Sequence, residues 1–416
     1  MERTVAAPTT LRIAWRNLWR NGKRTLLAIG AIAVGMFAFL AVAALLNGYG
    51  DIFLESLTGP FIGHIQVHAP EWRDERSIDL VLGDVDAMLD EIRSDPNVAN
   101  ASARIYAPVL AAQTEEGFMG VTVGIDADAE SHPSGLLPDG LPPGSIGDGR
   151  VLVGIGFAER YGIVPGMELA LVGQDVDGSI ASGLFTVTDT LASSVDIINT
   201  LGIVMSLTDT REFLAMATDA HEIVIHVNDP DAVDETTARL ASLPGLRDTE
   251  VLPWREIVPQ LVLMLGMMDG MLGIILIVVF IAAAAGIANT MLMSTFERTH
   301  EFGMLLSLGC GPARIARMIT VESVILGLLG VSLGTALGLL FLAATTQTGL
   351  DYAALGGGDS YQAAFQGVRL STLVHPRIYP GDVISGIIAV FLTSLVSVVW
   401  PIARIIRLEP MEAIRS

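Results

Sequence analysis

The chain has 416 residues, 51% of them hydrophobic, with a formal net charge of −21 and a single cysteine. It is too long for one small domain and too apolar for an ordinary soluble protein. The lone Cys310 leaves no disulfide and no Cys-based metal site.

Four runs carry no charged residue: Thr25–Leu46, Gly270–Phe296, Ser323–Leu350 and Val383–Ala403. About 20 apolar residues at a 1.5 Å rise cross a ~30 Å hydrocarbon core, so each run predicts a membrane helix. The first is too long for a signal-peptide core and is read as a retained anchor. In chain order, residues 1–24 precede span one (25–47), and a domain over 48–265 precedes span two (266–296). A cytoplasmic segment (297–318), span three (319–350), an outer loop (351–382), span four (383–403) and a tail (404–416) follow.

Residues 9–22 form an amphipathic helix. Leu11, Trp15, Leu18 and Trp19 fall on one face and Arg12, Arg16 and Arg20 on another. This pattern predicts an interfacial elbow, with Trp15 and Trp19 at headgroup level and Arg12, Arg16 and Arg20 toward water and lipid phosphate.

Residues 49–269 hold 36 Asp and Glu against 10 Lys and Arg. Bases cluster instead before span one (Arg3, Arg12, Arg16, Arg20, Lys23, Arg24), after span two (Arg298, Arg314, Arg317) and after span four (Arg404, Arg407, Arg415). Positive residues beside spans stay inside. The expected topology has both termini cytoplasmic and the acidic domain outside.

That domain reads as mixed α and β. Gly63–Ala69 alternates as a strand, Asp84–Arg93 has helical spacing, and strands are expected at 103–112 and 118–125. Residues 150–173 read strand, short helix, Pro-Gly turn, strand, and two strand-like runs end at Ala192 and Asp209. A strand at 222–227, a helix at 232–242 and a strand at 249–252 complete it. The expectation is a two-lobed α+β domain. A split αβ lobe covers about 60–130 and 215–260, a β-rich lobe covers 131–214, and a Pro/Gly-rich stretch, Pro133–Gly149, acts as hinge.

At the outer entrance to span two, Met264, Met267, Met268 and Met271 follow helical spacing. Ordinary packing or lipid contact explains them first, and a gate for a hydrophobic cargo is the alternative. Span three carries Gly327 and then Gly330, Gly334 and Gly338 at four-residue intervals, a close-packing face. Gly356–Gly358 in the outer loop predicts flexibility.

The segment 294–317 is tied to spans at both ends. Glu297, Arg298 and Glu301 are expected to open a short helix, Phe302, Leu305, Leu306 and Leu308 to form its apolar face, and Gly309–Pro312 to end it. A rigid lever joined to two spans passes motion through a membrane.

Catalytic signatures are missing. Lys23 is the only lysine, so no Gly-x-x-x-x-Gly-Lys phosphate loop exists, and no Gly-x-Ser-x-Gly or His-Glu-x-x-His occurs. No ionisable residue lies in the middle of a span, and Glu322 and Asp382 sit at span ends. His64 and His68 lack a carboxylate or Cys companion and are given no metal. The chain is therefore expected to be non-catalytic, without metal or cofactor and without a nucleic-acid partner.

Glu297, Arg298, Glu301, Phe302, Gly303, Leu305, Ser307, Leu308 and Gly309 fit the pattern E-R-x-x-E-[IF]-G-x-L-x-[AS]-L-G. Pro401, Pro410, Glu412, Ala413, Ile414 and Arg415 fit a closing P-x₈-P-x-E-A-[IL]-R. On these motifs and the layout, nearly the whole chain resembles FtsX-like permease subunits of ABC transporters, the group with lipoprotein-releasing and macrolide-exporter permeases. Leu306 departs from the Arg or Lys often found there. The string GHIQVHAPEW looks more like the lipoprotein-releasing branch.

The resemblance implies a bacterial inner-membrane, multi-pass permease. Its lever would be a coupling helix, with Leu305, Leu306 and Leu308 seated on a cytoplasmic ATPase and Glu297, Arg298 and Glu301 at the polar edge. Two ATPase subunits holding ATP and Mg, a second permease, membrane lipid and a periplasmic carrier or adaptor are the implied partners. The implied function is ATP-driven release of lipoprotein or another lipid-anchored cargo, with Phe37, Leu40, Met267 and Met271 lining a cavity. The alternatives are a mechanotransmission efflux permease and a regulator of a cell-wall hydrolase.

Overall fold

The computed structural model describes residues 7–113, 116–131, 135–138, 141–193, 195–346, 348–351, 364–365, 368–369 and 373–406. Gly356–Gly358, Pro133, Arg3, and the tail residues Arg407, Pro410, Glu412, Ala413, Ile414 and Arg415 lie outside them. The elements begin with α1 (Ala7–Arg20), α2 (Gly22–Thr58), β1 (Ile65–His68), α3 (Trp72–Glu75), α4 (Val85–Arg93), β2 (Val98–Ala112), β3 (Gly117–Ile125) and α5 (Ala127–Glu130). Next come β4 (Arg150–Gly154), α6 (Ile155–Tyr161), β5 (Glu168–Gln174), β6 (Ile180–Leu191), α7 (Asp196–Leu201), β7 (Gly202–Ser206) and α8 (Leu207–Phe213). The order ends with β8 (Glu222–Val227), α9 (Val233–Ala241), β9 (Glu250–Pro253), α10 (Trp254–Ile257), α11 (Pro259–Glu297), α12 (Thr299–Ser307), α13 (Pro312–Thr345), α14 (Pro380–Ser397) and α15 (Val399–Ile406).

The chain divides into two compact units. One holds residues up to Gly50 with 264–352 and 373–416; the other holds 51–263 with 353–372. Among the described residues, four helical stretches are long and apolar enough to cross a membrane: 22–56, 259–297, 312–345 and 380–404.

In the helical unit, α13 is the packing centre. A Cβ on Gly334 would stand 2.6 Å from both the Ala33 carbonyl oxygen and Met36 Cβ, and one on Gly330 would stand 2.6 Å from Ile32 Cβ. Gly338 leaves the same kind of room for Leu40. The absence of side chains lets α2 and α13 approach backbone to backbone, where dispersion replaces the hydrophobic drive that lipid cannot supply. Gly327 faces α14 instead, beside Val390 and Ser394, and the Ser323 hydroxyl donates to the Ser394 carbonyl at 2.8 Å. The helix α13 itself runs from Pro312 to Thr345.

The second unit is built on one nine-stranded sheet, ordered β3-β7-β4-β6-β5-β2-β8-β1-β9. The additional pairing of β3 with β2 closes β2, β3, β7, β4, β6 and β5 into a ring, leaving β8, β1 and β9 as an extension carried by β2. Closure leaves the six ring strands without an outer edge strand, while β9 ends the extension. Beneath α7, Val123, Ile125, Leu152, Leu191, Val195, Ile198 and Val204 form a buried cluster.

Most strand expectations hold within a few residues, but β2 starts at Val98 rather than Ala103. The run ending at Asp209 stops as a strand at Ser206, whose hydroxyl accepts from the Asp209 N–H and caps α8. On the strand face bearing His64, Gln66 and His68, the latter two are buried, as is all of β1, and His64 just before it is half-buried.

Candidate functional site

The lever begins with a break. α11 runs through Glu297, Arg298 leaves helical geometry at φ −111°, and α12 starts at Thr299. Glu297 therefore closes the preceding helix, correcting the expectation that it opens the short one; only Glu301 lies in the first turn of α12. Gly309, at φ +85°, takes the left-handed conformation that ends α12, and Pro312 begins α13.

The break turns Arg298 inward. Its Nη1 lies 3.0 and 3.3 Å from the two carboxylate oxygens of Glu322 on α13, and its guanidinium sits 5.0 Å from the Phe302 ring centroid. Both members of the pair are buried. Arg298 is thus an internal tie rather than part of an exposed polar edge. Asn17 of α1 donates to Glu322 Oε1 at 2.5 Å, which supplies a further partner to the buried carboxylate. Taking two charges out of water costs several kcal/mol each, so the cluster persists only because its partners are in place.

Around this tie lies a second layer of ion pairs. Arg20 Nη1 meets Glu301 Oε1 at 2.7 Å, and Arg24 Nη1 meets Glu297 Oε1 at 3.0 Å. Burial works to raise the pKa of Glu301, but hydrogen bonds and charge from Arg20 and Arg298 outweigh it and hold the carboxyl below its usual range. These exposed pairs are worth about 0–1 kcal/mol each. Their consequence is geometric: they bind α1 and the start of α2 to the lever.

The apolar side chains of α12 divide. Phe302 and Gly303 are buried, and Leu306 is half-buried against the helical core with Cys310. Met304, Leu305 and Leu308 face outward, Leu308 being 83% exposed. The outward edge is therefore Met304, Leu305 and Leu308. Leu306 belongs to the anchoring side, and Met304 was missing from the sequence reading.

The interfacial assignments separate similarly. Trp15 and Trp19 are exposed and meet edge to face at 5.9 Å, with Arg12 and Arg16 also exposed. Arg20 is paired with Glu301, and Leu18 turns into the helical core beside Ala14 rather than joining the tryptophans. Among the cavity residues, Leu40 is fully buried against Gly338 and Phe37 packs edge to face on Phe341 at 6.1 Å. Both serve helix packing in this conformation. Met267 and Met271 are exposed, while Met264 and Met268 are half-buried. No group of three or more metal-ligating side chains occurs among the described residues.

Residues 25–243 match the family profile of the MacB-like periplasmic core domain, and residues 273–410 match that of the FtsX-like permease C-terminal domain. The lipoprotein-releasing system transmembrane protein LolC of Neisseria meningitidis is 21% identical over 94% of this chain and 94% of its own. The uncharacterized ABC transporter permease YknZ of Bacillus subtilis is 22% identical over 97% of this chain and 98% of its own. The crystal structure of the periplasmic region of MacB from Actinobacillus actinomycetemcomitans aligns with a TM-score of 0.34 at 12% identity, over 47% of this chain and 91% of that one.

Proposed function

The chain belongs to the family of ABC transporter permeases that join a MacB-like periplasmic core domain to an FtsX-like C-terminal domain, and from that premise we propose that it relays ATP-driven motion from separate ATPase subunits to a periplasmic domain set between spans one and two. The observation that carries the proposal is the two-sided lever. One side of α12 is fixed by the buried Arg298–Glu322 pair, while Met304, Leu305 and Leu308 are left open on the other. An exposed apolar edge on a rigidly held helix suits a groove on a partner protein.

In this reading two ATPases supply ATP and Mg, and a second permease completes the assembly. The chain itself performs no chemistry and holds no cofactor. It crosses the inner membrane four times with both termini cytoplasmic. The cargo is a lipoprotein or another lipid-anchored molecule, passed to a periplasmic carrier. Similarity over nearly the full length to a protein named for lipoprotein release supports that cargo. The match of residues 25–243 to the MacB-like core supports a second reading, an efflux permease that drives an adaptor and passes nothing between its own spans.

Native mass spectrometry of the complex extracted with its ATPase distinguishes them. A bound diacyl or triacyl lipoprotein is expected for cargo release. An adaptor bound without any acylated protein sinks that reading in favour of the second.

A further inference from the structure

The sheet has a notch. β3 pairs one edge of β2 from Arg104 to Ala112, while the other edge is paired by β8 as far as Arg104 and by β5 only from Val109. Between these, residues 105–108 have no strand partner on that edge. The backbone tolerates this because Pro108 has no N–H and the Tyr106 N–H donates to His221 Nδ1 at 2.9 Å.

A cavity of about 520 Å³ lies over the notch, within the size range of about 300–1,000 Å³ usual for small-molecule sites. Strand alternation aims Tyr106 and Pro108 the same way as Val123 and Val121, their partners on β3. With Phe61, Trp72, Ile198 and Val258 these make a largely apolar wall.

The polar groups are few and uneven. Glu222, 4% exposed, accepts from the Tyr106 hydroxyl at 2.7 Å. Burial raises its pKa more than Arg104, the Tyr106 hydrogen bond and the charge of Arg76 lower it, so its charged form is disfavoured. Arg104 is engaged elsewhere, 2.6 and 2.9 Å from the two oxygens of Glu130.

Two further guanidinium groups line the cavity, Arg73 and Arg76. Arg73 donates to the backbone carbonyls of Ile257 and Glu256 at 2.7 and 3.4 Å. Arg76 lies 4.1 Å from the Trp72 ring centroid. Among the described residues, neither has a carboxylate within ion-pair distance, although this part of the chain is rich in acids. Arg76 also holds φ +51°, and Glu71 at the other end of α3 holds φ +68°. Left-handed backbone costs a non-glycine residue about 1–3 kcal/mol, and such strain collects where ligands are gripped.

We propose that this cavity binds a single-chain anionic amphiphile, its apolar body over Tyr106–Pro108 and its carboxylate or phosphate head held by Arg73 and Arg76. The inference is independent of the coupling reading, since it concerns the sheet-bearing unit by itself. The head group has two sources, a free fatty carboxylate or a lysophospholipid.

The test is equilibrium dialysis of radiolabelled decanoate against the full chain in neutral phosphatidylcholine nanodiscs, with empty discs as background. Saturable one-to-one binding is expected, with uncharged decanol at least tenfold weaker. Arg76→Glu, at an exposed position, should weaken decanoate at least tenfold without shifting the melting temperature, and Val123→Trp should fill the cavity and abolish binding. Displacement by lysophosphatidylglycerol assigns a lipid head, and displacement by fatty carboxylates alone assigns a free one. No saturable binding of either probe overturns the proposal, as does binding that Arg76→Glu leaves unchanged.

Discussion

Arg298 and Glu322 meet at 3.0 Å with side chains 8% and 3% exposed, joining the lever to the helix that packs against α2 and α14. Removing one partner leaves the other charged and buried. Glu322→Ala should therefore cost about 3–5 kcal/mol, whereas the paired replacement Arg298→Met with Glu322→Leu should recover most of that loss. Thermal melting in detergent compares the three proteins, and a single-variant loss below about 1 kcal/mol would contradict an interior tie.

The two sides of α12 make opposite demands. Leu308→Asp and Leu305→Asp place charge at exposed positions, so they should leave the melting temperature unchanged and lower transport-coupled ATP hydrolysis at least tenfold. Leu306→Asp buries part of a carboxylate against the helical core and should destabilise by about 1–3 kcal/mol. Equal behaviour of all three substitutions would erase the distinction between anchoring and docking faces.

Gly334 is one of the two tightest points between α2 and α13, with Gly330. Gly334→Val must displace the Ala33 carbonyl or Met36, and a cost of about 1–3 kcal/mol follows from overpacking. Gly286 of α11 has nothing within 4 Å of an added Cβ, so Gly286→Ala should be neutral or stabilising. Melting temperatures that do not separate these two would argue against close helix contact.

His68 gives the sheet-bearing unit an acid limit. Desolvation lowers its pKa to about 4, aided by Arg73 and Arg76 and opposed by a hydrogen bond to the Ala69 carbonyl. Because the folded-state value lies below the ordinary 6.5, its contribution is present above pH 6.5 and lost as pH falls toward 4. His64, also lowered to about 4 by burial and by His226, adds to the same slope. His68→Phe should flatten the stability profile across that window, measured by chemical unfolding. An unchanged slope would remove His68 from the account.

The four long apolar helices were legible because an uncharged run of that length has few alternatives. The break at Arg298 was not, since it depends on Glu322 some 24 residues away drawing the guanidinium inward. One signal was nonetheless present: a lone carboxylate at the edge of an apolar helix asks for a partner. The break also fixes the rotation of α12, which explains why Leu306, expected on the apolar docking face, turns to the anchoring side while Met304 is exposed. In the sheet, Asn97 and Asn100 obscured the first turnout of β2, and the ring closed through β3 rests on non-local pairing that no local pattern encodes. The buried Arg104–Glu130 and Tyr106–Glu222 pairs were invisible for the same reason.

The most direct test of the relay is site-specific photo-crosslinking from α12 in the complex with its ATPase. A photoreactive residue at position 305 or 308 should crosslink to the ATPase, and one at position 306 should crosslink within the permease chain. Failure of 305 and 308 to reach the ATPase in a complex that still hydrolyses ATP and moves cargo would contradict the account.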